Sequence, residues 1–221
     1  MRYYPIHLDL KGRQVLVVGG GTVAEGKVRQ LISAGARVRL VSPTIEGTFE
    51  RLISEDLIEH RPRRFAETDL DGASLVISAT DDAEVNETVS RAARRRCIWC
   101  NVVDRPGLCD FITPALVVRG ELQISVSTGG GSPTLAQRVK REIAALIGDE
   151  YGELLEIATG MRAEAKESVK DSERRTELLR AFVESDAINL LREGRGEDAR
   201  RLAHQLLRGQ YDQRPYRADV D

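Results

Sequence analysis

The pattern best suited to chemistry is a glycine cluster at the end of an apolar run. Val15-Leu16-Val17-Val18 leads into Gly19-Gly20-Gly21-Thr22-Val23-Ala24, and a helical pattern follows at once. Gly19 and Gly21 are the first two glycines of the dinucleotide fingerprint G-x-G-x-x-G/A, and Ala24 stands in the third place. Gly19 permits the tight turn. Gly21 leaves the backbone open to a pyrophosphate. Ala24 is small enough for close packing of helix on strand. The first N–H groups of the helix are free, and its dipole favours negative charge. A second glycine-rich helix start, Thr128-Gly129-Gly130-Gly131-Ser132-Pro133, reads as a second anion site or as a flexible linker. Ser132 suits the N-cap there, and Pro133 suits the first helical position.

Metal chemistry has little support. His7, His60 and His204 are scattered and give no ligand spacing, so no metal is expected. Cys97 and Cys100 form a C-x-x-C, but inside the apolar run of residues 97–103. In a strand, positions three apart face opposite ways, so both are expected to be buried strand residues.

The elements that must position these groups follow from periodicity. Val28, Leu31 and Ile32 mark the apolar face of the first helix, ended near Gly35. Residues 38–41 form a second strand and complete a βαβ unit. Its end usually carries an acid that binds the adenine ribose. Ser42 stands there instead, followed by Pro43 and Thr44, so ribose recognition falls to hydroxyls and backbone. NAD and NADP are not distinguished at this position. A third strand is expected near residues 57–60, a fourth over 75–79 ending in Thr80-Asp81-Asp82, and a helix over 83–96. A fifth strand over 97–103 ends at Asp104. Alternating strands and helices predict a parallel, doubly wound sheet. Ligands bind such sheets beyond the strand C-terminal ends. That rule puts Gly19, Gly21, Thr22 and Val23, then Ser42, Pro43 and Thr44, then Thr80 and Asp81, and Asp104, on one rim. An antiparallel hairpin follows around Arg119-Gly120-Glu121. Charged helical segments lie near residues 149–168, 172–185 and 196–208, before a tail from Gly209 expected to fray.

The 221 residues carry a net charge of -2, which argues against wholesale nucleic-acid binding. No apolar run is long enough to span a bilayer, and the N-terminus has no signal-like core, so a cytoplasmic protein is expected. Three cysteines fit a reducing compartment.

Pro5-Ile6, residues 18–27, Ala79-Thr80-Asp81-Asp82, Asn101-Val102-Val103-Asp104 and residues 125–133 occur in an order and spacing that resembles the sirohaem synthase N-terminal family. The resemblance is strong over about residues 1–150. It implies a Rossmann domain, then a dimerisation region, then a small helical domain, assembled as a homodimer. The corresponding boundaries are 1–112, 113–148 and 149–221. It implies NAD as hydride acceptor, precorrin-2 as tetrapyrrole substrate and sirohydrochlorin as product. Some members are also ferrochelatases, with Fe2+ or Co2+ as substrate. It makes Asp104 the catalytic residue, and it places Thr128 where the family has serine. The methyltransferase domain fused in some relatives is expected to be absent. A carboxylate on the rim suits the proton released in such an oxidation. The second helix start, through Thr128, Gly129, Gly130 and Ser132, suits substrate carboxylates, with Arg105 and Arg138 as bidentate partners or as solvated surface residues.

Two other readings stand beside this one. A dehydrogenase of a small hydroxy or amino acid lacks a His or Lys motif to polarise a carbonyl. An NAD(H)-sensing regulatory module is expected to keep an acid where Ser42 stands, and it has no need of residues 128–133.

Overall fold

The computed structural model describes residues 3–209. The chain divides into two compact units, Met1–Thr113 and Pro114–Asp221.

In the first unit five parallel strands form one sheet in the order β3-β2-β1-β4-β5. They are β1 (Gln14–Val18), β2 (Arg37–Val41), β3 (Ile58–Arg61), β4 (Ala73–Ser78) and β5 (Trp99–Val102). The pleat sends alternate residues of each apolar strand to opposite faces, and helices cover both. Val15, Val17, Leu40 and Ile77 pack with Val28 of α1 (Thr22–Ser33) and Phe49 of α2 (Thr48–Ser54). Leu16, Val18, Val76 and Val102 pack with Val89, Ala92 and Ala93 of α3 (Ala83–Arg95). The doubly wound sheet expected from the alternation is therefore present.

One ion cluster pins the far edge of this sheet. Asp69 is fully buried. Its carboxylate accepts from Arg61 at 2.6 Å, from Arg63 at 2.6 and 2.8 Å, and from the Ala66 N–H at 2.9 Å. Burial alone would raise its pKa, but the Arg63, Ala66 and Arg61 bonds outweigh it and hold the carboxyl at about 2.

The cysteine expectation needs a correction. Cys97 is exposed and lies before β5, not in it. Its N–H donates to the Arg94 carbonyl at 3.1 Å, and its φ of 55° is the left-handed conformation that ends a helix. Cys100 is buried in β5 as expected, and burial pushes its thiol up to about 12, with Asp110 adding to the shift. It is an inert core residue.

The second unit opens with a hairpin, β6 (Ala115–Arg119) and β7 (Leu122–Val126), closed by Gly120-Glu121 with Gly120 at φ 56°. The next element is α4 (Pro133–Leu146). The Arg119 guanidinium caps its C-terminus, donating to the carbonyls of Ala144 at 3.1 Å and Ile147 at 2.9 Å. The remaining helices are α5 (Glu150–Ser168), α6 (Ser172–Val183), α7 (Ala187–Arg192) and α8 (Gly196–Leu207). They share a core that includes Leu154, Met161, Phe182, Leu191 and Leu202. The short α7 is an addition to the three helical segments read from the sequence. The expected frayed tail lies outside the described residues beyond Gly209. Among the described residues no helix is long and apolar enough to cross a membrane.

Candidate functional site

The glycine turn is built by close approach of three strand ends. Gly19 follows β1 with φ 117°, and a Cβ there would lie 2.1 Å from the Ala79 carbonyl oxygen beyond β4. Gly20 is equally constrained, since its Cβ would lie 2.1 Å from the Thr44 carbonyl oxygen. The sequence reading gave Gly20 no role. Gly21, the N-cap of α1, differs: its φ is -90°, and the nearest atom to its Cβ position is Glu46 Oε1 at 3.5 Å. Space therefore remains open over Gly21, at the N-terminus of α1. Thr22 and Val23 follow, with Val23 55% exposed although apolar.

Ser42 is placed differently from expectation. It is buried, and its hydroxyl donates to the Thr44 carbonyl at 2.6 Å. It shapes the loop after β2 and leaves Pro43 and Thr44 exposed.

Beyond β4, Asn86 organises the loop and is a second residue the sequence reading missed. It is buried, accepts from the Ser78 hydroxyl at 2.7 Å and donates to the Thr80 carbonyl at 2.8 Å. The Thr80 hydroxyl accepts from the Asp82 N–H at 3.2 Å, and Asp82 caps α3 through Glu84 and Val85. Asp81 is left exposed on the rim.

Asp104 sits just beyond β5 in a turn closed by the Arg105 N–H on the Val102 carbonyl at 3.2 Å. The turn holds Asp104 at φ 59°, a left-handed conformation uncommon for a non-glycine residue. Segment 109–111 fixes the strand beneath it. The Cys109 thiol accepts from the Val102 N–H at 3.2 Å and donates to the Val102 carbonyl at 3.1 Å. Asp110 accepts from the Cys100 N–H at 3.0 Å and returns its own N–H to the Cys100 carbonyl at 2.8 Å. Asn101 donates to the Phe111 carbonyl at 2.9 Å. Asp104 and the neighbouring Arg105 are exposed.

Lys27, on α1, lies within reach of the Asp104 charge. Burial pushes the Lys27 pKa down, and the Asp104 carboxylate opposes that shift. Lys27 belonged to the motif of residues 18–27, but nothing in the spacing marked it out.

The second unit carries the other glycine-rich helix start. Gly129 and Gly130 have φ of 63° and 84°, a consecutive left-handed pair that glycine alone adopts readily. The Thr128 hydroxyl accepts from the Ser132 N–H and donates to the Ser132 carbonyl, both at 3.1 Å. Ser132 caps α4 through the Leu135 N–H at 3.2 Å. Both hydroxyls thus build the loop. Arg138 is exposed and pairs with Glu142 at 2.9 Å on its own helix. The candidate residues therefore fall into two groups, one per unit. Among the described residues no cluster of three or more His, Cys, Asp or Glu side chains is placed to hold a metal ion.

Comparison with known proteins follows the same division. Residues 6–115 match a family described as putative NAD(P)-binding, residues 119–146 the sirohaem biosynthesis protein central family, and residues 150–207 the sirohaem synthase dimerisation region. A sirohaem synthase of Thioalkalivibrio sulfidiphilus is 40% identical over 220 residues, which is 100% of this chain and 45% of that protein. One of Methylobacillus flagellatus is 43% identical over 213 residues, 95% of this chain and 45% of that protein. The chain thus spans a little under half the length of these relatives. The solved structure of SirC, a precorrin-2 dehydrogenase, has the same fold, with a TM-score of 0.76 at 24% identity over 92% of this chain and 100% of that one. The first unit is an NAD(P)-type dinucleotide-binding domain, and with three family models in succession over residues 6–207 the chain belongs to the sirohaem synthase N-terminal family.

Proposed function

We propose that the chain is an NAD-dependent precorrin-2 dehydrogenase, which oxidises precorrin-2 to sirohydrochlorin. The observation that carries the reading is a shared rim. One sheet edge holds a glycine turn open over Gly21 and, beyond β5, a carboxylate held in a left-handed turn. The relatives named sirohaem synthase and the fold of SirC agree with it.

The rim fits a dinucleotide. Gly19 and Gly20 let the Ala79 and Thr44 carbonyls close on the turn, and the space left over Gly21 lies at the N-terminus of α1, where N–H groups are free to meet a phosphate. Gly21, Thr22 and Val23 would hold the pyrophosphate side. Pro43 and Thr44 would line the adenosine side, and Thr80 and Asp81 the nicotinamide side. NAD+, when bound, supplies the hydride acceptor.

Asp104 is the base. As a hydride leaves precorrin-2, an Asp104 carboxylate oxygen takes the accompanying proton, so two electrons and two hydrogens leave the macrocycle. Lys27 keeps a positive charge near that carboxylate. Precorrin-2 is ringed with carboxylates. The Gly129 N–H is taken by the Ser127 hydroxyl at 3.1 Å and the Leu135 N–H by the Ser132 cap. The Gly130 and Thr134 N–H groups are suited to the carboxylates, with Arg105 and Arg138 as further partners. Thr128 and Ser132 hold that loop in shape. The same proton acceptor serves a ferrochelatase step, in which Fe2+ or Co2+ is substrate and the pyrrole N–H protons must leave. Residues 113–148 and 149–221 serve substrate binding and the pairing of two copies as a homodimer.

The test is incubation with precorrin-2 and NAD+ while following sirohydrochlorin absorbance. Turnover is expected with NAD+. No turnover with NAD+ or NADP+ overturns the reading. Metal insertion into preformed sirohydrochlorin, against a no-enzyme control, tests the second activity.

A further inference from the structure

We infer that Glu46 is the residue that selects the cofactor, accepting a hydrogen bond from the 2′-hydroxyl of the adenosine ribose and repelling a 2′-phosphate. The inference rests on the dinucleotide reading of the rim and names the group that makes it NAD-specific.

The usual acid at the end of β2 is missing. Ser42 cannot replace it, because its hydroxyl is buried and committed to the Thr44 carbonyl at 2.6 Å. Ribose recognition therefore needs another acceptor. The loop after β2 delivers one four residues later. Two contacts lay this loop directly on the glycine turn. The Thr44 carbonyl fills the place of a Cβ on Gly20, and the Glu46 N–H donates to the Gly20 carbonyl at 2.9 Å. Glu46 is thereby fixed at its backbone, while its side chain is exposed.

The carboxylate reaches the glycine turn from the loop after β2. Its Oε2 accepts from the Thr22 hydroxyl at 3.3 Å, and its Oε1 lies 3.5 Å from the Cβ position of Gly21. In this architecture the pyrophosphate lies over the helix start, and the ribose lies toward the second strand. Glu46 enters from the second-strand side and so meets the ribose. With one oxygen on the Thr22 hydroxyl, the carboxylate still offers acceptor lone pairs to the ribose hydroxyls and a like charge to a phosphate.

No compensating cation stands on this loop. No Lys or Arg occurs between Ser42 and Arg51, and Arg51 is paired with Glu55 at 2.7 Å. Across the neighbouring strand, Arg39 and Arg61 are bound to Glu59, and Arg61 also to Asp69. Between Ser42 and Arg51, a 2′-phosphate would meet the Glu46 carboxylate and no Lys or Arg to offset it.

The test is direct titration of the full chain with NAD+ and with NADP+, without tetrapyrrole, reading Kd. The wild-type chain is expected to bind NAD+ at least about 30-fold tighter. In Glu46→Gln the preference is expected to fall to about threefold, chiefly through tighter NADP+ binding. Raising the salt from about 0.05 to 0.5 M is expected to narrow the wild-type preference and leave that of Glu46→Gln unchanged. Glu46 is exposed, so the variant is expected to melt with the wild type. Glu46→Ala, which loses the acceptor as well, is expected to weaken NAD+ further. An NAD+ preference unchanged in Glu46→Gln overturns the assignment of Glu46 and leaves the dehydrogenase reading intact. A wild-type chain that binds neither cofactor overturns both.

Discussion

Lys27 Nζ donates to the Thr113 hydroxyl at 2.8 Å, and the bond ties the helix that begins at the glycine turn to the end of the first unit. The same ammonium feels the Asp104 charge. Lys27→Met removes the tether and the countercharge together. The expected result is a fall in kcat of about tenfold, with the Kd for NAD+ within twofold of wild type. Lys27→Arg is expected to recover most of the rate. An unchanged kcat in the Met variant would show that Lys27 only packs.

Asp104 separates conformation from chemistry. Asparagine tolerates the left-handed region and has nearly the same shape. Asp104→Asn is expected to keep stability within about 0.5 kcal/mol and to bind NAD+ normally. Its turnover is expected to drop by a factor of about 10²–10⁴, the range for loss of a general base. Stopped-flow assays beside cofactor titrations make the comparison. A parallel loss of cofactor binding would make Asp104 a structural residue.

Gly19 and Gly21, on either side of Gly20, are expected to fail in different ways. Gly19→Ala meets both a positive φ and a carbonyl 2.1 Å away, so it is expected to lose at least about 2 kcal/mol in urea unfolding. Gly21→Ala meets neither obstacle. It is expected to fold normally and bind dinucleotide at least about tenfold more weakly, because the methyl occupies the open space. Normal NAD+ affinity in Gly21→Ala would contradict the placement of the pyrophosphate.

Acid stability is expected to follow Asp69. Its folded pKa of about 2 lies below the ordinary value of 3.8, so it stabilises the fold at neutral pH. That contribution, about 2 kcal/mol, is present above pH 4 and fades as pH falls toward 2. Asp69→Asn is expected to unfold at lower urea than wild type at pH 7, with the gap narrowing toward pH 3. A gap constant with pH would remove the carboxylate from this role.

In the second unit, the loop of residues 128–132 depends on a hydroxyl, not on serine as such. Thr128→Ser is expected to be neutral. Thr128→Val loses both bonds to Ser132 and is expected to cost about 1–3 kcal/mol, read by thermal melting.

The first unit was legible because its strands are short apolar runs separated by amphipathic helices, and because Gly19 and Gly21 carry a spacing tied to one geometry. Three features were hidden for physical reasons. Cys97 looked like strand because Cys97-Ile98-Trp99-Cys100 is apolar throughout, yet the helix before it needed a left-handed residue to stop. The helix α7 has six residues, too few for periodicity to register. Glu46 and Gly20 matter only because the loop after β2 folds back onto the turn, a contact across chain separation that no local pattern encodes. Asp104 was placed on the rim by strand order, but its left-handed turn shows only in three dimensions.

The fifth strand is the last in its sheet, and such a border normally presents open hydrogen-bonding groups to any passing chain. Here the N–H and C=O of both Cys100 and Val102 already have partners in Cys109 and Asp110. A thiol and a carboxylate finish the border where a sixth strand would otherwise lie. The sheet thus has no vacancy at β5 for a foreign strand, which guards the segment leading to Asp104 against the edge pairing that seeds aggregation. Association through this unit has to use side-chain surfaces instead of sheet extension at β5.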